Sequence, residues 1–272
     1  MFQIMTDSCC DLPAARLAEL DVAYIPMLIE LDGKEYIDDM GKEFDTEWFL
    51  GKLKEHAQPT TSQINVGRYM EYFRPYVEAG TPVLYLGFSS GMSGSFQSAV
   101  QAVALLKEEY KEVAITLIDT RSASLGEGFL VAEAAQQKAQ GRSLLEVSQW
   151  VEENKLRLDS WVTVDDLKQL ERGGRISKTA AAIGGLLNVK PIITVDTAGK
   201  LRSVDRVRGR NKAIQKIVDQ TIANLHESKT NTVYFANAGD AEAAEKVIKR
   251  LTEKVPDIII HHYPLGPTIS SH

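Results

Sequence analysis

Short apolar runs alternate along the chain with segments of helical period. Phe2-Gln3-Ile4-Met5 reads as a strand, and Asp11-Leu12-Pro13 opens a helix with Asp as N-cap and Pro in the first turn. Residues 22–31 (VAYIPMLIEL) read as one strand, closed by the hairpin signal Asp32-Gly33. Asp45 and Thr46 offer caps for a helix reaching His56, and Arg68 to Glu78 forms another. Val83 to Gly87 has the continuous apolar character of a buried strand. It runs through a Ser/Gly segment into a helix from Phe96 to Tyr110. Val113 to Ile118 is a further strand, ended by Asp119-Thr120 and followed by a long helix to Gly141. Ser143 and Glu146 form a capping box for the next helix. Strand, helix, strand in this order predicts a parallel sheet built from crossovers.

The texture changes after about Ser160. A short strand (WVTV), a short helix, the turn Glu171-Arg172-Gly173-Gly174-Arg175 and a small-residue helix (TAAAIGGLLNV, from Thr179) come first. The strand KPIITVD, a turn at Gly199, a helix from Lys212 to Leu225, TVYFAN, a helix from Asp240 to Lys254 and DIIIHHY follow. The pattern predicts two α/β domains, residues 1–158 and 159–272, and a chain of 272 residues is long enough for two modest cores.

Composition narrows the function. Hydrophobic residues make up 44% and charged residues 25%, which allows a sizeable core. The formal net charge of -6 argues against a nucleic-acid partner, which requires clustered Lys and Arg against phosphate. The first residues, MFQIMTDSCC, lack the basic region and apolar core of a signal segment, and the most apolar stretch, residues 180–189, falls short of a membrane span. A cytoplasmic protein without membrane insertion is the expectation. Cys9 and Cys10 are adjacent and read as reduced thiols, because a disulfide between neighbours is strained. No Cys or His stands at metal-ligand spacing, so neither a metal nor a cofactor is expected. His261 and His262, neighbours on a strand, point to opposite faces, and His56 and His226 are lone helix-end histidines.

Candidate chemistry concentrates in Gly87-Phe88-Ser89-Ser90-Gly91-Met92-Ser93-Gly94-Ser95-Phe96-Gln97-Ser98, which joins a strand to a helix. Glycines let backbone approach a ligand, and N–H groups at a helix start favour anions; a flexible loop with an N-cap serine fits the same composition. Thr60-Thr61-Ser62-Gln63 reads as a second polar turn. Asp7-Ser8 and Asp119-Thr120 add polar groups at carboxyl ends of strands, where parallel sheets bind ligands. A serine esterase or thioesterase with Ser93 as nucleophile is the alternative, since Asp119 and His272 follow in the order of that fold. Its pattern fails at Ser95, where a second glycine belongs, and His272 is an unsuitable place for an oriented base. Glu171 to Arg175 and Arg206-Val207-Arg208-Gly209-Arg210 are two basic clusters suited either to solvent or to a local anionic contact.

These blocks together resemble the DegV family. TDSCCDLP (Thr6 to Pro13), TTSQ (Thr60 to Gln63), SSGMSGSFQSA (Ser89 to Ala99), DTRSASLGEG (Asp119 to Gly128), LERGGRIS (Leu170 to Ser177) and VKPIITVDTAGKL (Val189 to Leu201) are similar to its motifs in order along nearly the whole chain. The resemblance implies an N-terminal α/β/α domain with a parallel sheet and a smaller C-terminal α/β domain with a mixed sheet. It implies a long-chain fatty acid held in a tunnel by a protein that is not itself an enzyme. A separate kinase subunit would convert the bound acid to acyl phosphate with ATP, for use in phospholipid synthesis. By motif, Thr61, Ser62, Ser93 and Gly94 would contact the carboxylate, together with His272 from the segment GPTISSH. Arg175 and Arg208 would face the kinase. Cys9 and Cys10 stand where the family usually carries small polar residues, and the glycines expected after His272 are missing from this sequence.

Overall fold

The computed structural model describes residues 1–165, 167–177, 188–225 and 230–272. They fall into two units, Met1–Leu158 with Leu265–Ser271, and Asp159–Pro264 with His272. A single division at residue 158 assigns residues 265–271 to the second unit; in the structure they join the first. The cause is Asp38, whose Oδ2 accepts from Thr268 N at 3.2 Å and Thr268 Oγ1 at 2.5 Å.

The first unit contains strands β1 (Gln3–Asp7), β2 (Val22–Ile25), β3 (Leu28–Leu31), β4 (Lys34–Ile37), β5 (Thr60–Ser62), β6 (Val83–Gly87) and β7 (Ile115–Asp119). Four of them form a parallel sheet in the order β2-β1-β6-β7. All five residues of β6 are buried, as a central strand covered on both faces requires. Helix α1 (Ala14–Glu19) packs on β2, and α2 is Thr46–Lys54. Helix α3 (Val66–Glu78) packs on α4 (Ser95–Glu109). Helix α5 (Leu125–Ala139) lies on β1 and β6, and α6 (Leu144–Asn154) on β7. The capping box of Ser143 and Glu146 starts α6 as its sequence predicts.

Three local readings change. The apolar run 22–31 is two strands in two sheets: after β2 the chain passes Pro26, and Met27 N donates to Ser8 Oγ at 2.9 Å instead of continuing a ladder. Strand β3 then pairs antiparallel with β4, through the Asp32-Gly33 turn at φ 53° and 74°, and with β5 on its other side. The polar segment 60–62 is therefore an edge strand and not a turn. Asp11 does not cap a helix, because it is buried with φ 54° and its carboxylate accepts from Ser124 Oγ; α1 starts at Ala14 without a side-chain cap.

In the second unit β8 (Val162–Thr163), β9 (Val189–Val195) and β10 (Leu201–Arg208) form an antiparallel sheet in the order β10-β9-β8. Strands β11 (Thr232–Asn237) and β12 (Ile259–Pro264) pair in parallel. Helices Arg210–Leu225 and Ala241–Lys254 bury Ile214, Val218, Val247 and Leu251 in one cluster. Ring contacts join His261 to Tyr234 and His262 to Phe235, the cross-strand neighbours in the register. Most of the small-residue helix read from Thr179 onward, and His226, lie outside the described residues.

Candidate ligand site

In the parallel sheet the chain leaves β1 toward β2 on one side, and leaves β6 toward β7 on the other. The carboxyl ends of β1 and β6 thus flank the point where strand order reverses, the usual crevice for ligands in open parallel sheets. The loop after β6 carries Ser93 and Gly94, and so lies at this point.

The polar residues at the ends of β1 and β7 are engaged by the protein itself. Asp7 is fully buried, and accepts from Cys9 N at 3.0 Å, Phe88 N at 3.0 Å and Tyr85 OH at 2.7 Å. Ser8 receives Met27 N, and Thr120 Oγ1 donates to the Gly87 carbonyl at 2.8 Å. Strand ends leave backbone groups without ladder partners, and these side chains satisfy them. Asp119 binds Ser90 Oγ at 2.5 Å and Arg121 N at 2.9 Å, an occupation unlike that of a triad acid orienting a histidine.

The predicted hydroxyls stand on two segments, β5 and the start of α4. Strand β5 sets Thr61 opposite Ile29 and Ser62 opposite Leu28, with Ser62 exposed and Thr61 half-buried. The chain then turns onto the start of α4: Ile64 N donates to Ser95 Oγ at 3.1 Å, and Gln63 Nε2 to Ser98 Oγ at 3.3 Å. Gly94 packs closely here: a Cβ on it would meet the end of the Gln63 side chain. Ser93 Oγ accepts from Ser95 N at 3.1 Å and shares a hydrogen with Ser95 Oγ at 2.9 Å. The structure thus joins the 60–64 and 93–98 segments through Gln63, Ile64, Ser95 and Ser98, and places all four predicted residues of the first unit on those two segments. Sequence reading passed over Gln63, Ser95 and Ser98 as binding-loop supports; the signal available was a second and third hydroxyl at the start of an apolar helix, where backbone N–H groups lack partners.

Behind this loop lie four buried carboxyls, Asp7, Asp11, Asp38 and Glu127. Burial raises the affinity of each for its proton, while donors such as Ser124 and Thr6 oppose it. Asp38 is pushed up to about 6 by burial against the opposing Thr268 and Met40 hydrogen bonds. Cys9 and Cys10 are free thiols, buried beside them and held protonated by burial and by the neighbouring carboxyls. Among the described residues no set of His, Cys, Asp and Glu is arranged to hold a metal.

In the second unit His272 packs over the Glu171–Arg175 turn, with its Nδ1 where a Cβ on Gly173 would fall. Burial, with the charges of Arg175 and Arg172, lowers its pKa to about 4, so the ring is neutral at ordinary pH. Arg175 Nη1 donates to the Gly173 carbonyl, and Arg208 ends β10 exposed. His272 and Arg175 thus share one neighbourhood.

The chain matches the DegV family model over residues 1–272. A DegV domain-containing protein of Clostridium perfringens is 41% identical over 273 residues, covering 100% of this chain and 93% of that protein. Among solved structures, a DegV family protein from Thermus thermophilus, described for its fatty acid binding, superposes with a TM-score of 0.85 at 31% identity and covers 100% of this chain and 95% of its own. A stearic acid-binding protein from Eubacterium ventriosum gives a TM-score of 0.89 at 26% identity, covering 100% and 94%. DegV of Bacillus subtilis, a fatty acid binding protein, gives 0.84 at 28%, covering 100% and 94%. By sequence over its whole length and by fold, this chain belongs to the DegV family.

Proposed function

We propose that this protein is a carrier for one long-chain fatty acid, whose carboxylate is held by Thr61, Ser62, Ser93 and the backbone at Gly94. The observation that carries this reading is the joining of the two segments that bear Thr61, Ser62 and Ser93, residues 60–64 and 93–98, through the Gln63–Ser98 and Ile64–Ser95 hydrogen bonds, with no Lys or Arg in either. The fatty acids named for the similar solved proteins support it. Neutral donors hold a carboxylate without the charge neutralisation of an arginine fork, which leaves the oxygen nucleophilic. That property suits delivery to a separate ATP-dependent kinase subunit, which would attach a phosphoryl group to the acid; Arg175 and Arg208 are the proposed contacts for that subunit.

The tail sets the affinity in this reading. An acyl chain of about 15 methylenes at roughly 0.8 kcal/mol each gives about 12 kcal/mol of gross burial, from which ordering and association take a large share. The head group needs only enough hydrogen bonds to offset desolvation. Native mass spectrometry of the purified protein, followed by lipid extraction, tests the carrier role: one intact fatty acid per chain is expected. A protein that emerges empty, and takes up no fatty acid on titration, refutes it. With the kinase subunit and ATP, Arg175→Glu should leave lipid content unchanged and slow acyl phosphate formation; equal rates would remove that assignment.

A further inference from the structure

We infer that Ser95 is a positioning residue that fixes the direction of the Ser93 hydroxyl, turning Ser93 into an obligatory donor toward an anionic head group. The inference rests on the carrier reading of the site and names the residue on which its polarity depends.

A hydroxyl has one hydrogen to donate and two lone pairs to accept. Ser95 is 1% exposed and its oxygen has two partners among the described residues, Ile64 N and Ser93 Oγ. Ile64 N is a donor, so it occupies a lone pair of Ser95 and cannot take its hydrogen. The Ser95 hydrogen therefore goes to Ser93 Oγ, 2.9 Å away. The opposite arrangement, Ser93 donating to Ser95, would leave a buried hydroxyl hydrogen without an acceptor, which folded proteins avoid.

With that direction set, Ser93 Oγ accepts twice, from Ser95 O–H and from Ser95 N–H at 3.1 Å. Both of its lone pairs are engaged and its own hydrogen is unassigned. Ser93 is half-buried at the crevice, so this hydrogen points to whatever occupies the site. A carboxylate oxygen, which only accepts, is the matching partner. The same arrangement makes Ser93 a poor nucleophile, since attack needs a lone pair and a base for the hydrogen. The Ile64 bond adds a second consequence: the strand that carries Thr61 and Ser62 is tied, through one backbone amide and the Ser95 oxygen, to the orientation of Ser93.

A double-mutant cycle on palmitate binding, read by displacement of a fluorescent fatty-acid analogue, tests this. Ser93→Ala and Ser95→Ala should each weaken palmitate binding by roughly tenfold, the weight of one hydrogen bond to a charged group. The double variant should be no weaker than Ser93→Ala alone, because Ser95 acts through Ser93. Ser95→Thr keeps the hydroxyl and should bind within about twofold of the unaltered protein. A thermal melt follows the fold, and if Ser95→Ala is poorly folded, Ser95→Cys, with its weak S–H donor, takes its place in the cycle. Weakening by Ser93→Ala with wild-type binding by Ser95→Ala overturns this inference alone, as do losses that add in the double variant. An unaltered protein that binds no palmitate removes the carrier reading, and this inference with it.

Discussion

Two sets of polar side chains in the first unit behave in opposite ways. The hydroxyl cluster of Thr61, Ser62 and Ser93 is half-buried or exposed and carries no formal charge. The carboxyls of Asp7, Asp11, Asp38 and Glu127 are enclosed, and among the described residues they accept from hydroxyl and backbone donors. By residue type alone the acids would be the functional groups and the serines the loop filler. Burial reverses that ranking: the acids satisfy backbone and hydroxyl donors and hold the sheet's edge together, while the serines keep capacity for a ligand. The two clusters should therefore respond to substitution in different currencies, the enclosed one in stability and the open one in binding.

The largest effect falls on Asp7. Asp7→Ala removes the acceptor of three donors, Cys9 N, Phe88 N and Tyr85 OH, and should cost about 3–5 kcal/mol in urea denaturation. Asp7→Asn keeps one acceptor oxygen and should cost clearly less. Equal, small losses for both would mean that the carboxyl is not a structural hub.

Next is the pH dependence carried by Asp38. Its proton affinity is raised from 3.8 to about 6 in the folded protein, first by burial. Between those values the folded state holds a proton that the unfolded chain has released. The resulting stability is present in full below about pH 4 and is lost as pH rises through about 6, a change of up to about 3 kcal/mol. Asp7, Asp11 and Glu127 shift in the same direction, so the protein as a whole should be more resistant to urea at mildly acidic than at neutral pH. Asp38→Asn, permanently neutral, should flatten Asp38's share of the profile. Parallel profiles for the two proteins would show that Asp38 is ionised at an ordinary pH.

Much of this architecture is legible in the amino-acid sequence, because it rests on local rules. The apolar run at Val83 to Gly87, the cap at Asp45, the turn at Asp32-Gly33 and the capping box at Ser143 each carry their own signal, and each is found in place. The serine–glycine loop is legible for the same reason: it stands between a strand and a helix. What escaped depends on contacts between distant residues. Asp38 meets Thr268 across 230 positions, and Thr6 meets Glu127 across 121. No local pattern announces such pairs, and so neither the inward turn of the acids nor the return of residues 265–271 to the first unit could be read. The strand character of 60–62 escaped likewise, since it arises from pairing with β3 and not from the propensity of Thr-Thr-Ser.

Two glycines give the finest test of the contrast. Gly128 lies in α5 against the enclosed cluster, where a Cβ would sit 2.5 Å from the carbonyl oxygen of Cys10. That obstacle is backbone and cannot swing aside. Gly128→Ala should destabilise by about 1–3 kcal/mol, although alanine in a helix ordinarily adds about 1 kcal/mol. At Gly94 the obstacle is the end of the Gln63 side chain, and φ of -74° suits any residue. Gln63 can rotate away, giving up only its long 3.3 Å bond to Ser98. Gly94→Ala should therefore lower stability by less than about 1 kcal/mol. Its fatty-acid binding should nevertheless weaken, because the added methyl sits at the backbone proposed to hold the carboxylate. Paired melts and palmitate titrations of the two variants decide the matter. If Gly128→Ala harms binding more than stability, or Gly94→Ala unfolds the protein without touching affinity, then the open and enclosed clusters are one mechanical unit and the division between them fails.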